Sequence, residues 1–254
     1  MRQFLAALTF YTSLPLSATG ALDFKGIARW APGVGLAVGL VLAGCHVVLT
    51  HWVPTLVRAV LLVVVWLVVT AGLHVDGVMD AADGLSIATV DPDDRQTLKR
   101  RLEVMADSYT GAFGAISAIV LILLKVVAIA HVALMPAWIV LVLVPAWGRW
   151  GQLLAIAFYP YLKERGKGRF LKDSTSLPDI WPATAVLSVL SLGWGWRSPV
   201  LLSVCLWTSG CAIAAGATGY WFYRQLGGHT GDTYGAVVEW TEAIALVLAT
   251  IVPQ

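Results

Sequence analysis

Pro54-Thr55-Leu56-Val57-Arg58-Ala59-Val60-Leu61-Leu62-Val63-Val64-Val65-Trp66-Leu67-Val68-Val69-Thr70-Ala71-Gly72-Leu73 holds a single charged side chain. About 20 helical residues, each rising 1.5 Å, are needed to cross the roughly 30 Å hydrocarbon core of a bilayer, so this stretch reads as a membrane span. Working outward, six further stretches meet or approach that length: Trp30 to Thr50, Gly111 to His131, Pro136 to Ala157, Trp181 to Gly195, Pro199 to Tyr223 and Gly235 to Val252. The stretch from Trp181 is the shortest. The composition agrees, with 58% hydrophobic and only 13% charged residues among 254 and a mean hydropathy of +0.78. Soluble domains carry roughly 25% charged residues, so a water-soluble globule is excluded. The expected fold is all-α, a polytopic helical membrane bundle of about seven transmembrane helices forming a single domain over residues 1–254.

The net charge of +2 and the lack of long like-charge runs argue against nucleic-acid binding. Cys45, Cys205 and Cys211 are widely spaced in apolar runs and read as small buried hydrophobes, not as a disulfide framework or a metal set. Thr12, Ser13 and Pro15 interrupt the short apolar stretch after Arg2, so no cleavable leader is expected and the spans direct insertion. Of the twelve tryptophans, Trp52, Trp138, Trp194 and Trp196 fall near one set of span ends. Trp30, Trp181, Trp221 and Trp240 fall near the other, as an aromatic belt requires.

Charge placement chooses an orientation. Arg2, Lys25, Arg29, Arg95, Lys99, Arg100, Arg101, Lys163, Arg165, Lys167, Arg169, Lys172 and Arg224 fall on one side of a seven-span topology. Only Arg58, Arg197 and the intramembrane Lys125 and Arg149 do not. The positive-inside rule makes that side, with the N-terminus, cytoplasmic. All fifteen carboxylates gather at the same face or in the first turns of spans leaving it. The rule makes no demand on acids, so their confinement points to a polar site facing the cytoplasm.

Two acidic constellations stand out. In Asp76-Gly77-Val78-Met79-Asp80-Ala81-Ala82-Asp83-Gly84, helical offsets of four and seven put three carboxylates on one face. In Gly227-Gly228-His229-Thr230-Gly231-Asp232-Thr233-Tyr234-Gly235, continuing to Glu239 and Glu242, one face again presents three acids. Carboxylates this close repel unless a divalent cation bridges them, and oxygen ligands favour Mg2+ or Mn2+ over zinc. Asp76, Asp80, Asp83, Asp232, Glu239 and Glu242 are therefore the candidate metal ligands, with Asp83 or Asp232 the candidate proton acceptor. The glycines before Asp232 suit a backbone that approaches phosphate. A single Asp at a span end is commonly a plain solvated cap, but two glycine-flanked sets at one membrane face describe the two walls of a two-metal phosphoryl-transfer site.

The surrounding polar groups supply candidate substrate contacts: Arg29 just before the first span, Ser108 and Gly111 at the opening of the third, Arg149 inside the fourth, and Thr230 and Gly231. Arg149 is expected to face the polar cavity and Lys125 to snorkel outward without a role. His74 is either a base, a ligand or, more simply, a hydrogen-bonded structural histidine. The basic loop from Lys163 to Lys172 can steer an anion, although topology alone would place it there.

Leu73 to Gly84, Met105 to Gly114, and Gly228-His229-Thr230-Gly231-Asp232 with Gly235, Glu239 and Glu242 resemble the cobalamin synthase family, also called adenosylcobinamide-GDP ribazoletransferase. The resemblance extends over essentially the whole chain, through Phe10 to Pro15, Arg29, Pro32, Gly35, Arg149 and Tyr159-Pro160-Tyr161. Ser13 and Tyr109 stand where the family commonly has arginine. The resemblance implies an integral enzyme of the bacterial inner membrane in cobalamin biosynthesis, with a cytoplasm-facing site and Mg2+ as cofactor. It implies adenosylcobinamide-GDP and α-ribazole, or α-ribazole 5'-phosphate, as substrates. The ribose 3'-hydroxyl would attack the cobinamide-linked phosphorus and GMP would leave. Membrane lipid surrounds such a protein, and a homo-oligomer is compatible with the sequence.

Rival readings make different demands on the residues. A CDP-alcohol phosphotransferase would place an Ala-Arg pair soon after the first Asp-Gly, where this chain has Val78-Met79-Asp80. An intramembrane aromatic prenyltransferase would lead with Asn-Asp and repeat Asp spacings in both motifs. An ion transporter would carry its polar groups at the midplane and show repeat-related halves.

Overall fold

The computed structural model describes residues 2–15, 21–88, 95–164, 166, 168–196 and 200–251. Arg165, Lys167, Arg197 and Pro199, which entered the topology argument, lie outside the described residues. The helices run α1 (Arg2–Tyr11), α2 (Ala31–Leu49, entered through a 3-10 turn at Ile27–Trp30), α3 (Thr55–Thr70), α4 (Leu73–Leu85), α5 (Arg95–Val104), α6 (Ala112–Ala130), α7 (Ala137–Phe158), α8 (Arg169–Asp173), α9 (Ile180–Gly195), α10 (Leu201–Leu226) and α11 (Gly231–Ile251). An isolated parallel bridge between Tyr161 and His229 is the extended pairing among the described residues.

The protein is a polytopic helical membrane bundle. Five helices are long and apolar enough to cross a bilayer, or six if the bent pair α3–α4 counts as one span. The expected seven therefore differ from the structure at two places. The first is α9, which has 16 residues and rises about 24 Å, short of the hydrocarbon core unless the bilayer thins locally. The second is the stretch quoted at the outset, which does not run straight into the first acidic motif. It breaks after Thr70, and α4 leaves at 89° to α3.

The corner has a local cause. Ala71 (φ 52) and Gly72 (φ 64) are both left-handed, and the Gly72 amide reaches back 2.9 Å to the Leu67 carbonyl. Two left-handed residues end a helix in the manner of a C-terminal cap. Ser13 covers the exposed end of α3, its amide donating to Val69 O at 2.8 Å and its hydroxyl to Val68 O at 2.5 Å. Carbonyls at a helix end need such partners where water is scarce.

Packing centres on α7, whose membrane segment is almost wholly buried. Gly35 and Gly39 of α2, four residues apart, press on the α7 backbone: a Cβ on Gly35 would come 2.4 Å from Pro145 O, and one on Gly39 2.4 Å from Val142 O. Small residues at this spacing let helix backbones touch, which matters in lipid, where apolar surface alone drives no association. Gly148 does the same for α11, where an added Cβ would meet Glu242 Cγ at 2.5 Å. Leu40, Val48, Val64, Val68, Ile119 and Val189 point outward as exposed apolar side chains, as lipid contact requires. Cys211 is buried, Cys45 and Cys205 are half-buried, and all three are free thiols.

Candidate active site

The two acidic motifs meet. Gly77 of α4 lies against the backbone of Asp232 at the start of α11, so close that a Cβ there would stand 2.4 Å from Asp232 O. Two turns of sequence therefore bring Asp76, Asp80 and Asp232 into one neighbourhood, where Asp80 feels the charges of Asp76, Asp232, Lys163 and Asp83. Asp76 and Asp232 line a cavity of about 180 Å3 between α1, α4, α7 and α11. A larger apolar cavity of about 490 Å3, walled by Val78, Ala81, Leu85, Trp221, Phe222 and Trp240, lies on the other side of α4 and contains no ionisable group.

Local chemistry fixes the start of α11. Thr230 and Thr233 cap it reciprocally: the Thr233 amide donates to Thr230 Oγ1 at 3.2 Å and the Thr230 amide to Thr233 Oγ1 at 2.8 Å. Such side-chain caps satisfy first-turn amides. Thr230 Oγ1 also donates to Asp232 Oδ2 at 3.1 Å, and Lys163 Nζ donates to the same oxygen at 3.0 Å. Among the described residues no donor reaches Oδ1. His229 sits under this turn, hydrogen-bonded to Thr233 Oγ1 at 3.1 Å and to Gly219 O at 3.1 Å, and stacked on Tyr234 with ring centroids 5.4 Å apart. Burial pushes its imidazole down to about 4, so it is neutral at physiological pH. Tyr161 stands beside the site; burial first, then the Asp232 charge, push its phenol up, and it remains a hydroxyl.

The six acids do not form one cluster. Asp83 is buried at the far end of α4 and accepts the Gly111 amide at 2.7 Å and the Gly114 amide at 2.8 Å. One oxygen is used for each, so Asp83 anchors the N-terminus of α6, where the helix dipole favours an anion. The tight fit at Gly114, where a Cβ would meet Asp83 Oδ2 at 2.4 Å, shows that the glycines near Ser108 serve this contact. Glu239 and Glu242 lie deeper. Lys125 Nζ bonds Glu239 Oε2 at 2.5 Å and Glu242 Oε2 at 2.6 Å, and Arg149 Nη1 bonds Glu242 Oε1 at 3.2 Å. Lys125 also stands 4.2 Å from the centroid of the Trp66 ring.

Lys125 is thus not a snorkelling surface residue. It is buried at the centre of a two-cation, two-anion network, because leaving Glu239 and Glu242 unpaired inside an apolar bundle would cost far more than ordering one lysine. Its position inside an otherwise apolar run was the available signal, since an intramembrane charge marks a partner or a function by default. Arg149 is sealed inside α7 and does not line the cavity. Arg29 pairs with Asp179 at 3.6 Å and bonds Gly26 O through Nε at 3.0 Å. Ser108 is exposed and Gly231 lines the cavity. His74 departs from the simplest expectation: it is buried, yet neither ring nitrogen has a hydrogen-bond partner among the described residues.

Among the described residues no three His, Cys, Asp or Glu side chains gather tightly enough to enclose an ion by themselves. That does not disfavour Mg2+, which usually keeps several waters and is held by one or two carboxylates together with substrate phosphates. Asp76, Asp80 and Asp232 offer oxygen donors of that kind, whereas both oxygens of Asp83 and of Glu242, and Oε2 of Glu239, already accept from protein donors.

Comparison with known proteins agrees with the motif resemblance. The family profile for Cobalamin-5-phosphate synthase matches residues 3–250. The chain is 47% identical over 251 residues to the adenosylcobinamide-GDP ribazoletransferase of Trichormus variabilis, covering 97% of this chain and 96% of the relative. It is 42% identical to that of Synechocystis sp., covering 97% and 94%, and 33% identical to that of Brevibacillus brevis, covering 98% and 97%. No solved structure matches. The matched span takes in both acidic motifs and the helices that bring them together, and this chain belongs to the Cobalamin-5-phosphate synthase family.

Proposed function

We propose that this protein is an adenosylcobinamide-GDP ribazoletransferase of the bacterial inner membrane, with its N-terminus and its active site on the cytoplasmic side. The observation that carries the reading is the seating of Gly77 on the Asp232 backbone, which puts the acids of two distant motifs on one cavity. The names of the relatives supply the reaction. The 3'-hydroxyl oxygen of α-ribazole, or of its 5'-phosphate, forms a bond to the cobinamide-linked phosphorus. The bond from that phosphorus to the bridging oxygen breaks, and GMP departs with that oxygen.

This chain's residues divide the work. Asp232, whose Oδ1 meets no donor among the described residues, takes the hydroxyl proton. Asp83 is excluded from that role because both its oxygens hold the α6 amides. Lys163, on Asp232 Oδ2, places a positive charge where the diphosphate arrives, and Arg29 and the Lys163–Lys172 loop draw the anion toward it. Asp76, Asp80 and Asp232 would hold Mg2+ jointly with the substrate phosphates, and the ion would supply neutralisation of the diphosphate and of the charge developing on the leaving phosphate. The Lys125–Glu239–Glu242–Arg149 network holds α6, α7 and α11 in register behind the site.

The test is release of GMP by purified protein in detergent with Mg2+, intact adenosylcobinamide-GDP and α-ribazole. Absence of GMP under those conditions overturns the reading.

A further inference from the structure

Four of the residues that line the Asp76–Asp232 cavity carry buried polar atoms without a partner among the described residues: the hydroxyls of Tyr11 and Tyr234, both ring nitrogens of His74, and Oε1 of Gln152. All four residues are at least nine-tenths buried, with exposures of 1%, 1%, 2% and 4%. They come from α1, α4, α7 and α11, so no single element's local geometry accounts for them. Buried polar groups are hydrogen-bonded in the great majority of cases, and each unsatisfied one costs roughly 1–3 kcal/mol. Four converging on one cavity form a receptor for something that hydrogen-bonds.

The chemistry of the set selects the ligand. A phenol, an imidazole and a carboxamide each offer both a donor and an acceptor, which matches the hydroxyls of a sugar. An anion would need donors alone, and it would have to pass Asp76 and Asp232. Arg149 is bonded to Glu242 through Nη1 and does not line the cavity, although its Nε and Nη2 also have no partner among the described residues. A volume of about 180 Å3 far exceeds the roughly 10–15 Å3 that one water needs.

We propose that this cavity is the acceptor subsite, binding the ribose ring of the incoming nucleoside through Tyr11, His74, Gln152 and Tyr234, with the attacking hydroxyl directed to the Asp76–Asp232 rim. The proposal rests on the transferase reading for the identity of the nucleoside. The four residues are positioning residues that hold the ring; the proton acceptor remains Asp232.

The experiment compares wild type with Tyr11→Phe, Gln152→Leu and Tyr234→Phe, and with Gly231→Val. A Cβ at Gly231 would have Tyr161 Oη as its nearest neighbour, at 4.0 Å, so this last change fills the cavity mouth without forcing the helices apart. Two readouts are taken on protein in detergent with Mg2+: calorimetric binding of α-ribazole alone, and KM for each substrate during turnover. Loss of one hydrogen bond is expected to weaken α-ribazole binding and raise its KM roughly three- to tenfold, with KM for adenosylcobinamide-GDP within twofold of wild type. Gly231→Val is expected to abolish α-ribazole binding. Unchanged α-ribazole affinity in folded variants overturns the subsite, as does an equal rise in both KM values. If wild type binds α-ribazole in a manner sensitive to these substitutions but releases no GMP, the reaction falls and the subsite stands. If GMP is released but the variants bind α-ribazole normally, the subsite falls and the reaction stands.

Discussion

Lys125 Nζ lies 2.6 Å from Glu242 Oε2, and both side chains are sealed inside the bundle. Removing one member of a buried ion network leaves a charge without compensation, at a cost of about 3–5 kcal/mol. Lys125→Met is therefore expected to lower the thermal midpoint sharply. Lys125→Met combined with Glu239→Gln, which removes one charge of each sign, should recover part of the loss. Equal midpoints for wild type and Lys125→Met, followed by fluorescence in detergent, would show that the network contributes nothing to stability.

The rim acids predict a different phenotype. Asp76→Asn, Asp80→Asn and Asp232→Asn keep side-chain size and leave helix packing intact. Each should reduce GMP release by on the order of 100-fold at fixed Mg2+ while the thermal midpoint moves little. Chelation of Mg2+ should stop wild-type release, and added Mg2+ should restore it. Glu239→Gln behaves in the opposite sense, with stability falling first.

Asp83 anchors α6 from outside that helix. Asp83→Ala should cost about 2 kcal/mol through two orphaned amides, and Asp83→Asn less, since its carbonyl still accepts one bond. Hydrogen exchange at Gly111 and Gly114 reads the effect directly; unchanged protection there would remove the anchor from the account.

Gly77→Ala tests the contact between the motifs. Its Cβ would collide with the Asp232 backbone, and overpacking of this kind costs about 1–3 kcal/mol. Turnover should fall with stability because the same contact assembles the rim. A fully active and stable Gly77→Ala enzyme would mean that the helices need not touch.

His229 gives a pH signature. Its folded-state value is about 4 against an ordinary 6.5, so between those limits the unfolded chain binds the extra proton. Stability conferred by neutral His229 is complete above pH 6.5 and falls as the pH drops toward 4, by up to about 3 kcal/mol. The difference in midpoint between wild type and His229→Gln should shrink over that window; a constant difference would contradict the burial argument.

The bundle and its acidic face were legible in the sequence because long apolar runs and charge asymmetry are one-dimensional signals. The division of labour among the acids was not. Helical spacing groups Asp76, Asp80 and Asp83 on one face, but it cannot say that the α6 amides reach Asp83 or that Lys125 reaches Glu239, which lies 114 positions further along the chain. The corner after Thr70 was hidden for a related reason. Thr70-Ala71-Gly72 contains one glycine in an otherwise apolar run, and the carbonyls freed just before the left-handed Ala71 are met by Ser13, from the segment that follows α1. Tyr11 and Gln152 were missed because their significance lies in lacking partners, which only three dimensions reveal.

The corner at Ala71 and Gly72 also fixes rotational phase. It is made by two residues with no slack, and each residue added to a helix turns it by about 100°. A one-residue insertion there would swing Asp76 and Asp80 a quarter-turn or more away from Asp232 without altering a single acid, and a deletion would swing them the other way. The length of this joint is therefore as much a part of the enzyme's chemistry as the carboxylates it aims.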